Sequence, residues 1–457
     1  MSRRVFLVLV LLSVALLPAC SQIIVPVDPV LAGTGDKVPV VLVPGVTGTG
    51  LLDPATGRLV WGDGMAVIRP HDGGYALVKP LPPGVGRPGG ALEPTKVLDA
   101  VRLGPITKEV YGPIVRLLER HGYSAGELAS PRPGNDLFLF AYDWRDENAV
   151  SAARLAEALE RLRRARGEER LTVNLVCQSN GAHVCRWLAK FGGATLEEAE
   201  SGAAAPPAWL GVRKLVLISS SNGGSLENLA WLTRGRRYVA VIGRRWTPEA
   251  IASIRAVFED LPVYTRELFV DGSGEPLAVD LFDLDSWRRY GWSLLSPAVV
   301  RRIERRGRRD LFGDAAERAA YLGRMLDRAQ RFHRQLRRDV AGFDGVRYYM
   351  IQNVDADTPA RAVLARRGDG WRLRFAEDRW VRRRPLWRRR LVESGDGHAT
   401  VDSQLWLAPQ ERAAMAAEPA RVSGDHFELI LAPAAQRRLL ASRAEAPRAE
   451  ASTVGSR

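Results

Sequence analysis

The sequence predicts an α/β architecture: a mostly parallel central sheet flanked by helices, with a helical cap insertion and a β-hairpin excursion. Three observations predict it. Short apolar, β-branched runs recur along the chain, patterns of helical period lie between them, and one such run enters a helix through a turn of small residues around a serine. Alternation of this kind packs as a parallel sheet with helices on both faces.

Residues 38–43 form the first run, which ends at Pro44-Gly45 and suits a strand buried on both faces. Residues 137–141, 171–177, 215–219 and 348–354 read the same way. Helical periodicity covers 106–120, 150–164 and 182–191, and Gly122 supplies a stop for the first of these. Between Ser221 and Asp339 the chain is helical, basic and tryptophan-containing, without a clear buried strand, as expected of a cap. Residues 360–391 alternate around Trp371-Arg372-Leu373-Arg374-Phe375, the pattern of a hairpin. The expected organisation is a core of 37–220 and 341–441, a cap of 221–340, and a disordered tail of 442–457.

The chain has 457 residues, 46% hydrophobic and 26% charged, with a formal net charge of +14. These shares exclude global disorder and allow a sizeable core. The positive excess is mostly arginine. It suits an anionic membrane surface or nucleic acid, or else arginine spread over a solvated surface.

The first 19 residues read as a signal peptide. Arg3 and Arg4 precede an apolar run from Val5 to Leu17, and Leu17-Pro18-Ala19-Cys20 follows. The run is shorter than the roughly 20 residues a membrane-spanning helix needs. The small residue before Cys20 resembles a bacterial lipobox, which implies acylation of that thiol. Residues 20–36 then form a lipidated tether. Ser21 in place of aspartate tilts the expectation towards the outer membrane, facing the periplasm. Cys177 and Cys185 are the remaining cysteines. They offer no disulfide framework and no zinc pattern, and both read as small buried residues.

The chemistry centres on Leu175-Val176-Cys177-Gln178-Ser179-Asn180-Gly181-Ala182. A strand–turn–helix with small neighbours lifts a serine hydroxyl clear of the backbone, the context of a nucleophile elbow in an α/β-hydrolase fold. The usual G-x-S-x-G has cysteine at its first position here. Two backbone amides would hold an oxyanion: Asn180 after the serine, and Val46 in the Pro44-Gly45-Val46-Thr47-Gly48 loop. The fold requires the order serine, acid, histidine. Of six histidines, His71 and His121 come too early, His183 lies a turn beyond Ser179, and His333 sits in the cap. His426 occupies a loop entering the C-terminal helical region and is the expected base. Asp396, between two glycines about thirty residues earlier, is the expected acid, with Asp355 and Asp357 as rivals after a strand. His398 is expected to be a neighbour without a proton-transfer role.

The chain resembles the lecithin:cholesterol acyltransferases and related bacterial α/β-hydrolases. Pro39-Val40-Val41-Leu42-Val43-Pro44-Gly45 is similar to their first strand and oxyanion loop. Tyr142-Asp143-Trp144-Arg145 resembles their Y-D-W-R signature, and the elbow resembles their nucleophile site. Gly395-Asp396-Gly397-His398-Ala399-Thr400-Val401 is similar to their G-D-G-T-V acid loop with two residues inserted, and Asp425-His426 is similar to their histidine site. The resemblance covers roughly residues 38 to 433. It implies acyl-enzyme chemistry on ester lipids without metal or cofactor. The chain departs from the family at Cys177, in the acid loop, and in lacking a cysteine pair for a lid disulfide. Lipase or phospholipase action with water as acceptor, carboxylesterase action, and lipid binding without turnover stay open beside acyl transfer.

Arginine and tryptophan mix from Arg379 to Arg390, a composition suited to phosphate headgroups and the membrane interface. Membrane lipids are therefore the expected partner, as substrate and as anchoring surface. Nucleic acid is not expected for an exported, acylated chain. Trp287, Tyr290 and Trp292 belong either to an acyl pocket or to the core of the cap. Oligomeric state is not legible.

Overall fold

The computed structural model describes residues 38–68, 71–81, 91–237, 245–343 and 345–444. The expected signal peptide, Cys20 and the tether lie outside the described residues, as do 445–457 of the expected tail; its first three residues continue a helix, Pro433–Ala444.

Seven strands form the central sheet: β1 (Val40–Val43), β2 (Ala125–Glu127), β3 (Leu137–Leu139), β4 (Leu171–Gln178), β5 (Leu210–Ile218), β6 (Arg347–Gln352) and β7 (Ala420–Arg421). Their order is β7-β6-β5-β4-β1-β3-β2, and every neighbouring pair is parallel. The short edge strands β2 and β7 carry too few apolar residues to be read from sequence. Alternation divides the strands between two cores. Val41, Val43, Leu175 and Leu217 face one; Val40, Leu42, Val176 and Val216 face the other. Both faces are covered, which is why β1 reads as an unbroken apolar run.

Helices α1 (Gly112–Arg120), α2 (Asn148–Arg166) and α3 (Gly181–Phe191) supply the cover. Leu117 and Leu118 of α1 pack on one face with Leu439 of the C-terminal helix. Leu155 and Leu159 of α2 and Trp187 and Leu188 of α3 pack on the other. Gly122, at φ 81°, ends α1: its amide reaches Glu119 O and that of Tyr123 reaches Leu118 O. The left-handed glycine closes the last turn.

The helix expected over 106–120 begins later. Ala100–Leu103 and Ile106–Glu109 form an antiparallel ribbon, turning at Gly104 with φ 55°. Pro113 lies in the first turn of α1, where its missing N–H costs nothing. A three-stranded antiparallel sheet of Thr49–Asp53, Arg58–Trp61 and Glu93–Val97 also goes beyond the expected elements.

Within 221–340 the chain forms mainly helices, among them α4 (Leu226–Arg234) and α5 (Ala315–Leu336). The same stretch contains a short buried strand, Phe269–Val270, which was not expected. It pairs in parallel with Ala362–Arg367, whose hairpin partner is Gly370–Arg374. The later part of the expected hairpin excursion is helical, over Arg379–Arg382 and Pro385–Leu391. Trp287 is fully buried and packs against Trp292, and the partly buried Tyr290 lies between Trp292 and Trp371 of the hairpin; none of the three lines the cavity at Ser179.

A further expectation is overturned. Cys177 and Cys185 are buried, but they are joined by a disulfide with Cα atoms 6.6 Å apart. The turn after β4 folds α3 back beside the strand, so positions eight apart in sequence meet side by side.

Candidate active site

The carboxyl ends of β1, β4 and β5 lie level, with Val43 opposite Cys177 and Gln178 opposite Ile218. Loops leaving such strands share one edge of the sheet, where α/β folds place their sites. Ser179 follows β4 at φ 54°, a left-handed conformation that a non-glycine residue rarely holds. Its amide donates to Ile218 O at 3.0 Å. Two glycines make room for the turn. A Cβ on Gly181 would lie 2.5 Å from Val43 O and 2.7 Å from Pro44 O, and one on Gly45 would lie 2.8 Å from Ser179 Cβ. The first position of the motif is Cys177, whose buried side chain is bonded to Cys185 of α3.

Ser179, His426 and Asp396 are brought together. Ser179 Oγ lies 2.8 Å from His426 Nε2, and His426 Nδ1 lies 2.8 Å from Asp396 Oδ2. A carboxylate only accepts, so Nδ1 carries the proton and Nε2 is free to accept from the hydroxyl. Asp396 is completely buried. Burial alone would raise its carboxyl, but the adjacent His426 ring and the hydrogen bonds it receives hold it below its ordinary value. The amides of His398 and Ala399 donate to Asp396 Oδ1 at 2.9 and 2.7 Å. Gly395 lets this loop fold tightly, since a Cβ there would lie 2.3 Å from Ala399 O. The rivals stand elsewhere: Asp357 pairs with Arg388 at 2.8 Å, and Asp355 accepts from Ser423 Oγ at 3.4 Å.

Val46, Asn180 and Ser179 line one small cavity, of about 20 Å³, with His426 and His398. Among the described residues neither the Val46 nor the Asn180 amide has a hydrogen-bond partner. Neighbours fix both segments. Tyr111 Oη accepts from Gly45 N at 3.0 Å and donates to Gln178 Oε1 at 2.7 Å. The Asn180 side chain exchanges hydrogen bonds with Asn148 at 2.8 and 3.2 Å.

The Tyr142-Asp143-Trp144-Arg145 stretch braces this loop from below. Tyr142 Oη donates to Pro44 O at 2.8 Å, and Trp144 Nε1 donates to Thr49 O at 3.0 Å. Arg145 grips Asp143 through two 2.8 Å contacts. Burial opposes that carboxylate, yet Arg145 and Lys79 bring its pKa down to about 2. Trp144 is fully buried, between Trp61 and Trp246.

Sequence reasoning missed the surroundings of His398. Its ring centroid lies 4.5 Å from that of His426. Its Nδ1 is 3.0 Å from Glu227 Oε2 and its Nε2 is 3.6 Å from Asp260 Oδ2. Burial alone would lower its pKa, but these two carboxylates raise it to about 9. Asp260 also accepts from Ser221 Oγ at 2.6 Å and from Asn228 Nδ2 at 2.8 Å, and lies 3.3 Å from His183 Nε2. The one signal in the sequence is the histidine inserted directly after the G-D-G stretch; Glu227 and Asp260 sit in helical text without a motif. His333 joins this group through His183, its ring centroid 5.5 Å away, and its Nε2 faces Glu259 O at 2.6 Å.

Among the described residues no cluster of histidine, cysteine and acidic side chains has the form of a metal site. No family model and no curated protein matches the sequence. A chain from a solved structure of a Tle4-Tli4 complex superposes with a TM-score of 0.53 at 15% identity, covering 88% of this chain and 97% of that one. With the parallel sheet described above, it places the chain in the α/β-hydrolase fold.

Proposed function

We propose that this chain is a serine-dependent hydrolase or acyltransferase of ester lipids that works through an acyl-enzyme. One observation carries the reading: the continuous row from Ser179 Oγ through His426 to Asp396, with both contacts at 2.8 Å. In the first step His426 Nε2 takes the hydroxyl proton as Ser179 Oγ attacks the ester carbon. The carbonyl oxygen becomes an oxyanion facing the amides of Val46 and Asn180. Collapse breaks the bond to the alcohol, which leaves with the proton from His426. Water or a second alcohol then adds to the acyl-enzyme, gives its proton to His426, and releases Ser179. Asp396 keeps the ring in the required tautomer and stabilises the imidazolium throughout.

Lipid as the substrate class, and acyl transfer as the finer activity, rest on the resemblance to lecithin:cholesterol acyltransferases in the elbow, the Y-D-W-R stretch and the acid loop. On the same reading the chain is exported and acylated at Cys20. The Cys177–Cys185 disulfide supports export, because such bonds persist in oxidising compartments.

The test is covalent labelling with a fluorophosphonate, followed by turnover of p-nitrophenyl esters of increasing chain length. Labelling is expected in the wild type and in the surface control Ser201→Ala, and is expected to vanish in Ser179→Ala. Ester turnover should fall at least about 10³-fold in that variant. A folded wild-type protein that takes no label would overturn the enzymatic reading in favour of lipid binding. Adding a competing alcohol then separates transfer, which yields a new ester, from hydrolysis.

A further inference from the structure

We infer that the arginine-rich helical turns from Arg379 to Leu391 form a docking surface for an anionic lipid bilayer. Two short helices, Arg379–Arg382 and Pro385–Leu391, build it. Val381 and Leu391 are fully buried and pack with Val270, Val363 and Ala376, which fastens the segment to the hairpin region. The opposite side is open. Arg379, Arg382, Arg383, Arg384, Arg389 and Arg390 are exposed, and among the described residues none has a carboxylate within ion-pair distance. Nearby acids are engaged elsewhere: Asp378 with Arg234, Glu393 with Arg361, and Asp357 with Arg388. The result is a concentrated, uncompensated positive charge.

At its centre stands Leu386, 72% exposed, the most exposed large apolar side chain of the described residues. An apolar tip ringed by arginines matches a bilayer, whose phosphates lie above a hydrocarbon interior. A single-stranded nucleic acid would need open aromatic faces on which bases stack. Here Trp380 and Trp387 pack on each other at 5.4 Å, and Arg374 and Arg384 lie over the Trp380 ring at 4.8 and 4.5 Å. The tryptophans are half-buried struts, and the geometry favours lipid.

The surface is tied to the site by a short piece of chain. The four residues Val392–Gly395 run directly from Leu391 to Asp396, so the backbones of those two residues lie at most about 18 Å apart. The arginine surface and the acid loop are thereby joined through one short strand. Docking itself needs no chemistry at Ser179, so binding and turnover are scored separately.

The experiment is vesicle sedimentation of the full chain carrying Cys20→Ser, so that no acyl chain can hold it to lipid. Phosphatidylcholine vesicles are compared with vesicles in which about 30% of the lipid is phosphatidylglycerol. Strong binding is expected only to the anionic vesicles, weakened at least about tenfold between 0.05 and 0.5 M salt. Arg382→Gln with Arg383→Gln and Arg389→Gln should weaken it at least about tenfold, and Leu386→Asp at least about threefold. Neither variant should change turnover of a soluble short-chain ester. A control with Arg301, Arg305 and Arg324 changed to Gln, also exposed arginines, should bind like the parent. Equal binding to neutral and anionic vesicles would overturn the proposal, as would unaltered binding by the Arg382/Arg383/Arg389 variant. Preference for a single-stranded oligonucleotide over the anionic vesicles at equal salt would assign the surface to nucleic acid instead.

Discussion

At the residue scale the site depends on one buried carboxylate. Asp396 accepts from two backbone amides and from the His426 ring, and the nearby His398 ring adds electrostatic support to its charge. Asp396→Asn keeps shape and volume. An amide can present its NH2 to Nδ1, however, which would place the ring proton on Nε2 and leave nothing to accept from Ser179. The expected outcome is a drop in kcat of about 10³- to 10⁴-fold with KM nearly unchanged. Steady-state kinetics on a p-nitrophenyl ester checks it; a loss under tenfold would mean that Asp396 does not orient the base. The residues of this row are legible in sequence because each sits in a short local pattern: serine in a strand–helix turn, aspartate between glycines, histidine in a late loop. Glu227 and Asp260 have no such pattern. They matter through packing of the cap, which spacing along the chain does not encode.

At the scale of elements, the joint between β4 and α3 holds Ser179 at positive φ. Two features secure it: the glycine contacts of Gly45 and Gly181 against neighbouring backbone and side chain, and the Cys177–Cys185 disulfide. The disulfide closes a sequence separation of 8. By loop entropy a ring of this size stabilises by about 2–3 kcal/mol. Cys177→Ser with Cys185→Ser is expected to lose that amount in urea unfolding, and to lower kcat as the elbow loosens. Unchanged stability in the double variant would show that the joint is held by packing alone. The sequence text names both cysteines but not their bond, because no spacing rule pairs a strand position with a helix position eight residues on; only the reversal at the elbow does. The ribbon before α1 escaped for a related reason. Ile106-Thr107-Lys108-Glu109-Val110 fits two periods over so short a span, and Gly104 and Pro113 decide between them. Long, doubly buried strands such as β4 and β5 were legible because both faces demand apolar residues. The two- and three-residue edge strands β7 and β2 make no such demand.

For the whole molecule, the cap and the acid loop meet at His398. Glu227 and Asp260 come from the region over the sheet, while His398 belongs to the loop that presents Asp396. An imidazolium between two carboxylates fastens these parts, and the strength of the fastening follows its protonation. The pKa of His398 is raised from about 6.5 to about 9. Its contribution is therefore fully present below about pH 6.5 and is lost as pH rises through about 9. A shift of this size corresponds to an upper figure of about 3 kcal/mol. Glu259 pulls in the same direction. Burial first, and Glu147 second, raise it to about 8, so its ionisation also weakens the fold as pH climbs from its ordinary value. At low pH the reverse groups act. Asp396 and Asp260 sit below their ordinary values, and His333 is lowered to about 3, mainly by burial. Their contributions are lost on acidification. The Glu259 loss and the His333 gain offset each other between about pH 4.5 and 6.5, so stability from these groups should be highest in that window and decline on both sides. Replacing His398 by Gln separates the alkaline causes, because it removes the imidazolium and leaves Glu259. Urea unfolding at pH 6.5 and 9.5 should show a larger alkaline loss for the wild type than for His398→Gln, with the two proteins closest at the higher pH. Parallel losses in the two proteins would mean that the cap is held to the acid loop by apolar packing, and that the charge on His398 fastens nothing.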